Sequence, residues 1–315
     1  MKKCFIIILI FLPHLIRAQD LKVTLLGTGV PSPSISRYGA GILVEAGSTK
    51  FLFDCGRGIS QRLWQLKIPL GKVNVLFLTH LHFDHVVGIP DFWLSGGMPT
   101  PYGLRKNALR VFGPEGTKEM MIHIQKAFEW DTRSRSHDAI RNNSGIGLIV
   151  NDISEGIVYD QDSIRVTAFL VDHADFINNA FGYRIDYGGH SVVISGDTRY
   201  NENLIKYAQG ADMIIHEVAA ANAESEKSPL AQLILNYHTS PENAGKVFNR
   251  IKPKLAVYSH IALITTEPTI PPPSVKDLIS RTRTTYNGPL EVGEDLMSFI
   301  IGDKIVVNRS MAENK

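Results

Sequence analysis

Short apolar runs broken by polar turns organise most of this chain. Residues 21–26, 41–45 and 50–53 read as strands, the last two pairing across Ala46-Gly47-Ser48-Thr49. Residues 73–78 form a further apolar strand and 109–112 a short one. From Gly145 onward the pattern predicts strands at 146–150, 156–159, 164–171, 181–187, 191–194, 212–215 and 255–258, with two more near 290–292 and 296–307. Helical periodicity predicts helices at 59–67, 86–94, 114–130, 201–208, 219–235 and 275–284; in the third, Met120, Ile124 and Phe128 recur at i, i+4, i+8. Thr239-Ser240-Pro241-Glu242 reads as another helix start, with Thr-x-x-Glu capping and an early proline, and Gly210 as a helix stop. Strands alternating with helices predict an α/β fold. No internal linker or repeat divides it, so one domain is expected over residues 19–315.

The first residues differ. Lys2 and Lys3 precede an unbroken apolar run at 5–12, and Pro13 leads on to the small residue Ala18. This is the pattern of a secretory signal over 1–18, cut after Ala18, and it predicts an exported protein, periplasmic or secreted. The run is short for ~30 Å of hydrocarbon, so no stable membrane insertion is expected after cleavage. Losing Lys2, Lys3 and Arg17 takes the formal charge from +2 to −1. A near-neutral chain gives no general argument for a polyanionic partner and speaks against nucleic acid. Cys55 becomes the only cysteine, which excludes an internal disulfide; it reads as a small buried residue. With 44% hydrophobic residues, the chain is long enough for a large core.

Chemistry enters where the strands end. Residues 73–78 run into Thr79-His80-Leu81-His82-Phe83-Asp84-His85, and later strands end at Asp172-His173, at Asp197, at His216-Glu217 and at His260. In α/β architectures, sites collect at the carboxyl ends of strands, so these side chains are expected to converge on metal. Two ions are more economical than one, because alternate residues of a tight loop point to different sides. His80, His82 and His173 are assigned to one ion, Asp84, His85 and His260 to the other, and Asp197 to a bridge. Neutral imidazoles with few carboxylates suit zinc, with iron or manganese as alternatives. The lone helical His123 reads as a surface residue, and 131–144 as a lid or a solvated loop.

The sequence resembles the metallo-β-lactamase superfamily, and within it the ribonuclease Z and arylsulfatase-type branch. The resemblance rests on Leu26-Gly27-Thr28-Gly29, Phe53-Asp54-Cys55-Gly56, the run from His80 to His85, Asp172-His173, Phe181-Gly182-Tyr183-Arg184, Ser195-Gly196-Asp197-Thr198, His216-Glu217, His238-Thr239-Ser240 and Ser259-His260. It implies an αββα sandwich of two mixed sheets flanked by helices, the same metal partition, and a homodimer. The reaction expected is ester hydrolysis by a metal-held hydroxide, oriented by Asp84 and Asp197. His238 is the candidate proton donor, beside a helix start whose free amides would help to hold an anion. Glu217 is its expected partner.

The substrate expected is a small anionic ester, an aryl sulfate or a phosphodiester. A ribonuclease Z-like processing of tRNA 3′ ends is the alternative, and a lactonase or β-lactamase-type acyl hydrolase the next. The signal segment opposes tRNA. So does the short link of six residues between Arg184 and Ser191, where ribonuclease Z enzymes carry a long basic arm.

Overall fold

The computed structural model describes residues 21–135, 143–175, 177 and 179–309. The expected signal segment and residues 136–142 of the expected lid lie outside the described residues.

The first half of the chain builds β1 (Leu21–Gly27), β2 (Gly41–Ala46), β3 (Thr49–Phe53), α1 (Ile59–Gln65), β4 (Val75–Phe77), α2 (Phe83–Val86), α3 (Ile89–Gly96), β5 (Leu109–Gly113), α4 (Thr117–Ala127), α5 (Glu129–Arg135) and β6 (Leu148–Asp152). The second builds β7 (Gly156–Gln161), β8 (Ile164–Val171), β9 (Ala180–Tyr187), β10 (His190–Ile194), α6 (Glu202–Tyr207), β11 (Met213–Ala221), α7 (Pro229–Leu235), α8 (Pro241–Ile251), β12 (Leu255–Ile264), α9 (Val275–Thr282), β13 (Leu290–Val292), β14 (Ser298–Ile301) and β15 (Ile305–Asn308). They form an eight-stranded sheet ordered β15-β14-β1-β2-β3-β4-β5-β6 and a seven-stranded sheet ordered β13-β12-β11-β10-β9-β8-β7. Both mix parallel and antiparallel pairs.

The inner faces of the sheets meet over a core that includes Val23, Phe53, Phe77, Tyr183, Ile185 and Val257. A second layer, with Leu63, Leu76, Phe92 and Met121, lies under α1, α3 and α4. A third, with Phe169, Leu204, Phe248 and Leu278, lies under α6, α8 and α9. The molecule is therefore an αββα sandwich. Strands covered on both faces are mostly apolar: every residue of β4 and β11 is buried, and only His216 and Glu217 of β11 are polar. Two cross-sheet bonds meet just beneath the future site: Tyr183 Oη donates to the Leu78 carbonyl at 2.6 Å, and Phe181 N–H to the Thr79 carbonyl at 2.8 Å.

The structure corrects several expected boundaries. The predicted helix at 86–94 is two helices broken around Val87 and Gly88; α2 begins inside the histidine run, with His82 as its N-cap. The predicted strand ends at His216-Glu217 and at His260 are not ends. β11 continues to Ala221 and β12 to Ile264, so the helix expected at 219–235 shrinks to α7. Helical periodicity and a buried alanine run look alike in sequence, and here pairing with β12 won. The cap of α8 is Ser240, whose side chain accepts from Asn243 N–H, while Thr239 donates instead to the Thr198 carbonyl. His123 is exposed, as expected.

Candidate metal centre

Three loops and one bulge between paired strands deliver these polar side chains. After β4 the chain turns through Thr79 and His80 into α2, which presents Asp84 and His85 from its first turn. His173 follows β8 and Asp197 follows β10. Gly196 has φ +61°, and a Cβ there would stand 2.5 Å from the Phe181 carbonyl, so only glycine makes this turn. Between β11 and β12 the register jumps from His216 opposite Tyr258 to Val218 opposite Ile261. Glu217 lies in that bulge, and so does His260, with φ +45°. A bulge re-aims side chains without ending the strand, which is how both residues reach the site from mid-strand.

The side chains converge as two triads. His80 Nε2 lies 2.9 Å from His82 Nδ1, which lies 3.2 Å from His173 Nε2. His85 Nε2 lies 3.3 Å from His260 Nε2, which lies 3.3 Å from Asp84 Oδ2. Asp197 stands between them. Its Oδ2 is 3.5 Å from His85 Nε2 and 3.8 Å from His173 Nε2, and its Oδ1 is 3.4 Å from His260 Nδ1. All seven residues expected as ligands are thus brought together. Asp172 is not among them; it turns outward to pair with Arg199 at 2.7 Å. His216 points to the opposite face of β11, against Phe248.

These donors fit divalent cations. A tetrahedral ion with nitrogens at about 2.0–2.1 Å holds them roughly 3.3 Å apart, close to the spacings within each triad. The outer nitrogens are committed elsewhere. His80 Nδ1 faces the Thr79 hydroxyl at 3.0 Å, His85 Nδ1 the Asp54 carboxylate at 2.8 Å, and His173 Nδ1 the Tyr237 carbonyl at 3.0 Å. Thr79 gives its own proton to Asp54, so it accepts from His80. In these three rings Nδ1 is thus held outward and Nε2 is left as the atom that faces the cluster, whereas His82 turns its Nδ1 inward.

Electrostatics agree. Burial, reinforced by neighbouring imidazoles, holds His80 well below its ordinary value and lowers His82 and His173, leaving the neutral ligand form. Burial works against charge on Asp197 too, yet His260 and His85 hold it well below the usual carboxylate range. His85 is the exception. Asp197 and Asp54 raise it well above its ordinary value despite burial, so a metal ion bound there displaces a proton and affinity falls in acid.

Asp54 was given no role by sequence reasoning, although an acidic residue closing the apolar strand 51–53 was a readable signal. It is buried at φ +59° and accepts from Thr79 N–H, from the Thr79 hydroxyl and from His85 Nδ1, each at 2.8 Å. Asp54→Asn is expected to weaken divalent-metal binding about 10–100-fold with the fold retained. Competition against a chelating indicator, beside a thermal melt, checks this; unchanged affinity would remove Asp54 from the site.

Next to the donors, His238 Nδ1 lies 3.1 Å from Glu217 Oε2, and Glu217 Oε1 accepts from Thr239 N–H at 2.6 Å. Burial alone would lower His238, but the Glu217 carboxylate overrides it and raises the imidazole to about 9. The His238 ring stands 5.2 Å from that of His173 and 5.7 Å from that of His260. Of the amides around this helix start, Thr239 N–H is taken by Glu217 and Asn243 N–H by Ser240. The His238 imidazolium stands beside them as a further partner for an anion.

The Beta-lactamase superfamily domain matches residues 49–261. A ribonuclease Z of Mycolicibacterium gilvum (strain PYR-GCK) is 32% identical over 284 residues, covering 88% of this chain and 94% of that one. The chain belongs to the metallo-β-lactamase superfamily, in its ribonuclease Z-type branch. A ribonuclease Z of Mycobacterium tuberculosis (strain ATCC 25177 / H37Ra) is 31% identical over 277 residues, 88% of this chain and 96% of that one. Among solved structures, a metallo-beta-lactamase fold protein of Bacillus subtilis superposes with a TM-score of 0.68 at 17% identity, over 90% of this chain and all of that one. The short form of human tRNase Z gives 0.62 at 21%, over 88% and 98%. At those identities the structures speak for the fold. The protein is a hydrolase of this superfamily, whose members typically bind divalent metals, and its histidine and aspartate cluster has that character.

Proposed function

We propose that this chain hydrolyses phosphodiester bonds at a pair of divalent ions, one held by His80, His82 and His173, the other by Asp84, His85 and His260, with Asp197 shared. The observation that carries this reading is the Glu217-held His238 beside the donor cluster. With five imidazoles among seven donors, zinc suits the site best, iron or manganese next. When bound, the ions neutralise the phosphoryl oxygens and bring the pKa of water to about 7. His238, charged at neutral pH, binds the phosphoryl anion and hands a proton to the departing oxygen. Glu217 keeps its Nδ1 occupied, so that Nε2 faces the substrate. Asp84 and Asp197 accept hydrogen bonds from the attacking water and so set its direction.

Ribonuclease Z action on RNA gains support from the curated relatives and from their length. The 277 aligned residues make up 96% of the mycobacterial chain, leaving no room there for a long arm that this chain lacks. The short link between Arg184 and Ser191 therefore does not argue against RNA. A small anionic ester stays as the second reading, because no Lys or Arg is among the described residues lining the cavity beside the centre. A parallel panel on metal-replete protein decides: bis-aryl phosphate, a tRNA precursor with a 3′ trailer, aryl sulfate, lactone and β-lactam. Diester turnover is expected; hydrolysis confined to the lactone or β-lactam would end the proposal.

A further inference from the structure

The cavity beside the metal centre encloses about 470 Å³, within the range of small-ligand pockets. One end is closed by His82, Asp84, His173, Asp197, His238 and His260. The remainder is a largely apolar wall, with Ser32 and Thr265 as polar members: Val30 from the loop after β1, Leu230, Ile234 and Tyr237 on and just after α7, and Leu263 and Ile264 at the end of β12. Leu230 and Ile234 stand one turn apart on α7, on the side that faces the cavity, while Ala231 is fully buried and anchors the helix. Leu230 remains 59% exposed. β12 supplies its two residues only because it continues past the bulge at His260. Ile261 N–H, bonded to the Thr28 carbonyl at 3.0 Å, ties this strand to the loop that carries Val30.

Apolar side chains that converge from three elements on a polar reactive centre make a subsite for an apolar group. A polynucleotide would bring a phosphate with every residue and would call for cations along its path. We infer that this wall is a subsite for one uncharged apolar substituent, aryl or branched alkyl, of a diester whose phosphate sits at the metal centre. Water adds to phosphorus, the bond from phosphorus to the departing oxygen breaks, and the released alcohol takes up a proton. The inference rests on the phosphodiester reading and adds the residues that select the substrate: Leu230, Ile234, Leu263 and Ile264.

The test uses metal-loaded full-length protein and two diesters with one shared leaving group, 1-naphthyl p-nitrophenyl phosphate and methyl p-nitrophenyl phosphate. The wild type is expected to prefer the naphthyl ester in kcat/KM. In Leu230→Asn and Ile234→Asn that preference is expected to fall about tenfold or more, through KM. Leu233→Asn, on the same helix but outside the cavity, is expected to keep it. An unchanged preference in both cavity variants, or equal losses on a tRNA precursor, overturns the subsite. Should the wild type hydrolyse neither diester, the phosphodiester reading falls. The subsite is then read by calorimetric binding of 1-naphthyl methylphosphonate against methyl methylphosphonate. At least tenfold tighter binding of the naphthyl compound, lost in Ile234→Asn, upholds it, and equal affinities overturn it.

Discussion

Asp197→Asn is expected to lower kcat/KM on the order of 10³-fold and to leave the protein with fewer bound ions per chain. The reason is charge. The two triads and their shared residue hold five imidazoles, neutral when they ligate, and only two carboxylates, Asp84 and Asp197. The two divalent ions proposed would bring four positive charges into a buried site, and removing one carboxylate would halve the compensation from the seven donors. Geometry compounds the loss. Asp197 Oδ2 faces His85 and His173 while Oδ1 faces His260, so the carboxylate reaches both triads with anionic oxygens. An amide offers one neutral oxygen and a nitrogen that is no ligand. Elemental analysis of the purified variant, beside steady-state kinetics, checks both halves. Full metal content with wild-type turnover would show that Asp197 bridges nothing.

His238→Ala is expected to lower kcat about 10²–10⁴-fold on diesters with alkyl leaving groups. The loss should be smaller on p-nitrophenyl esters, whose leaving oxygen departs without a proton. This contrast separates proton donation from simple anion binding, which would cost both substrates equally. The pH profile gives a second readout. The Glu217 carboxylate raises His238 to about 9, so in the free site the imidazole carries its proton up to that pH and loses it above. Activity that needs the proton therefore falls on the basic side. Glu217→Gln removes the charge that raises His238, and the basic limb is expected to move to lower pH. A basic limb unmoved in Glu217→Gln would detach Glu217 from His238.

Much of the centre was readable because its polar residues sit in or directly after apolar runs. The spacing from His80 to His85 alone gives four donors in six residues, and His173, Asp197 and His260 follow apolar runs that read as strands. Glu217 was readable for the same reason, following Met213-Ile214-Ile215. Asp54 was the harder case. It follows its strand as the others do, but its work is done through a neighbour, the Thr79 amide and hydroxyl and the His85 ring, 25 and 31 positions away in the chain. No local pattern encodes such a bond.

The sequence by itself determined the α/β class, most of the strands and which histidines and aspartates gather in one cluster, because hydrophobic period and side-chain chemistry are local properties. Only the tertiary structure decided that β11 and β12 run on through the site. Their mutual pairing, which no single stretch reveals, outweighs the helical leaning of Ala219-Ala220-Ala221. That continuation makes the bulge that turns Glu217 and His260 inward, and it carries Leu263 and Ile264 beyond the histidine and aspartate cluster to the cavity lined by α7. Donor chemistry is written in residue types; the wall that a substrate meets exists only once distant segments are packed together.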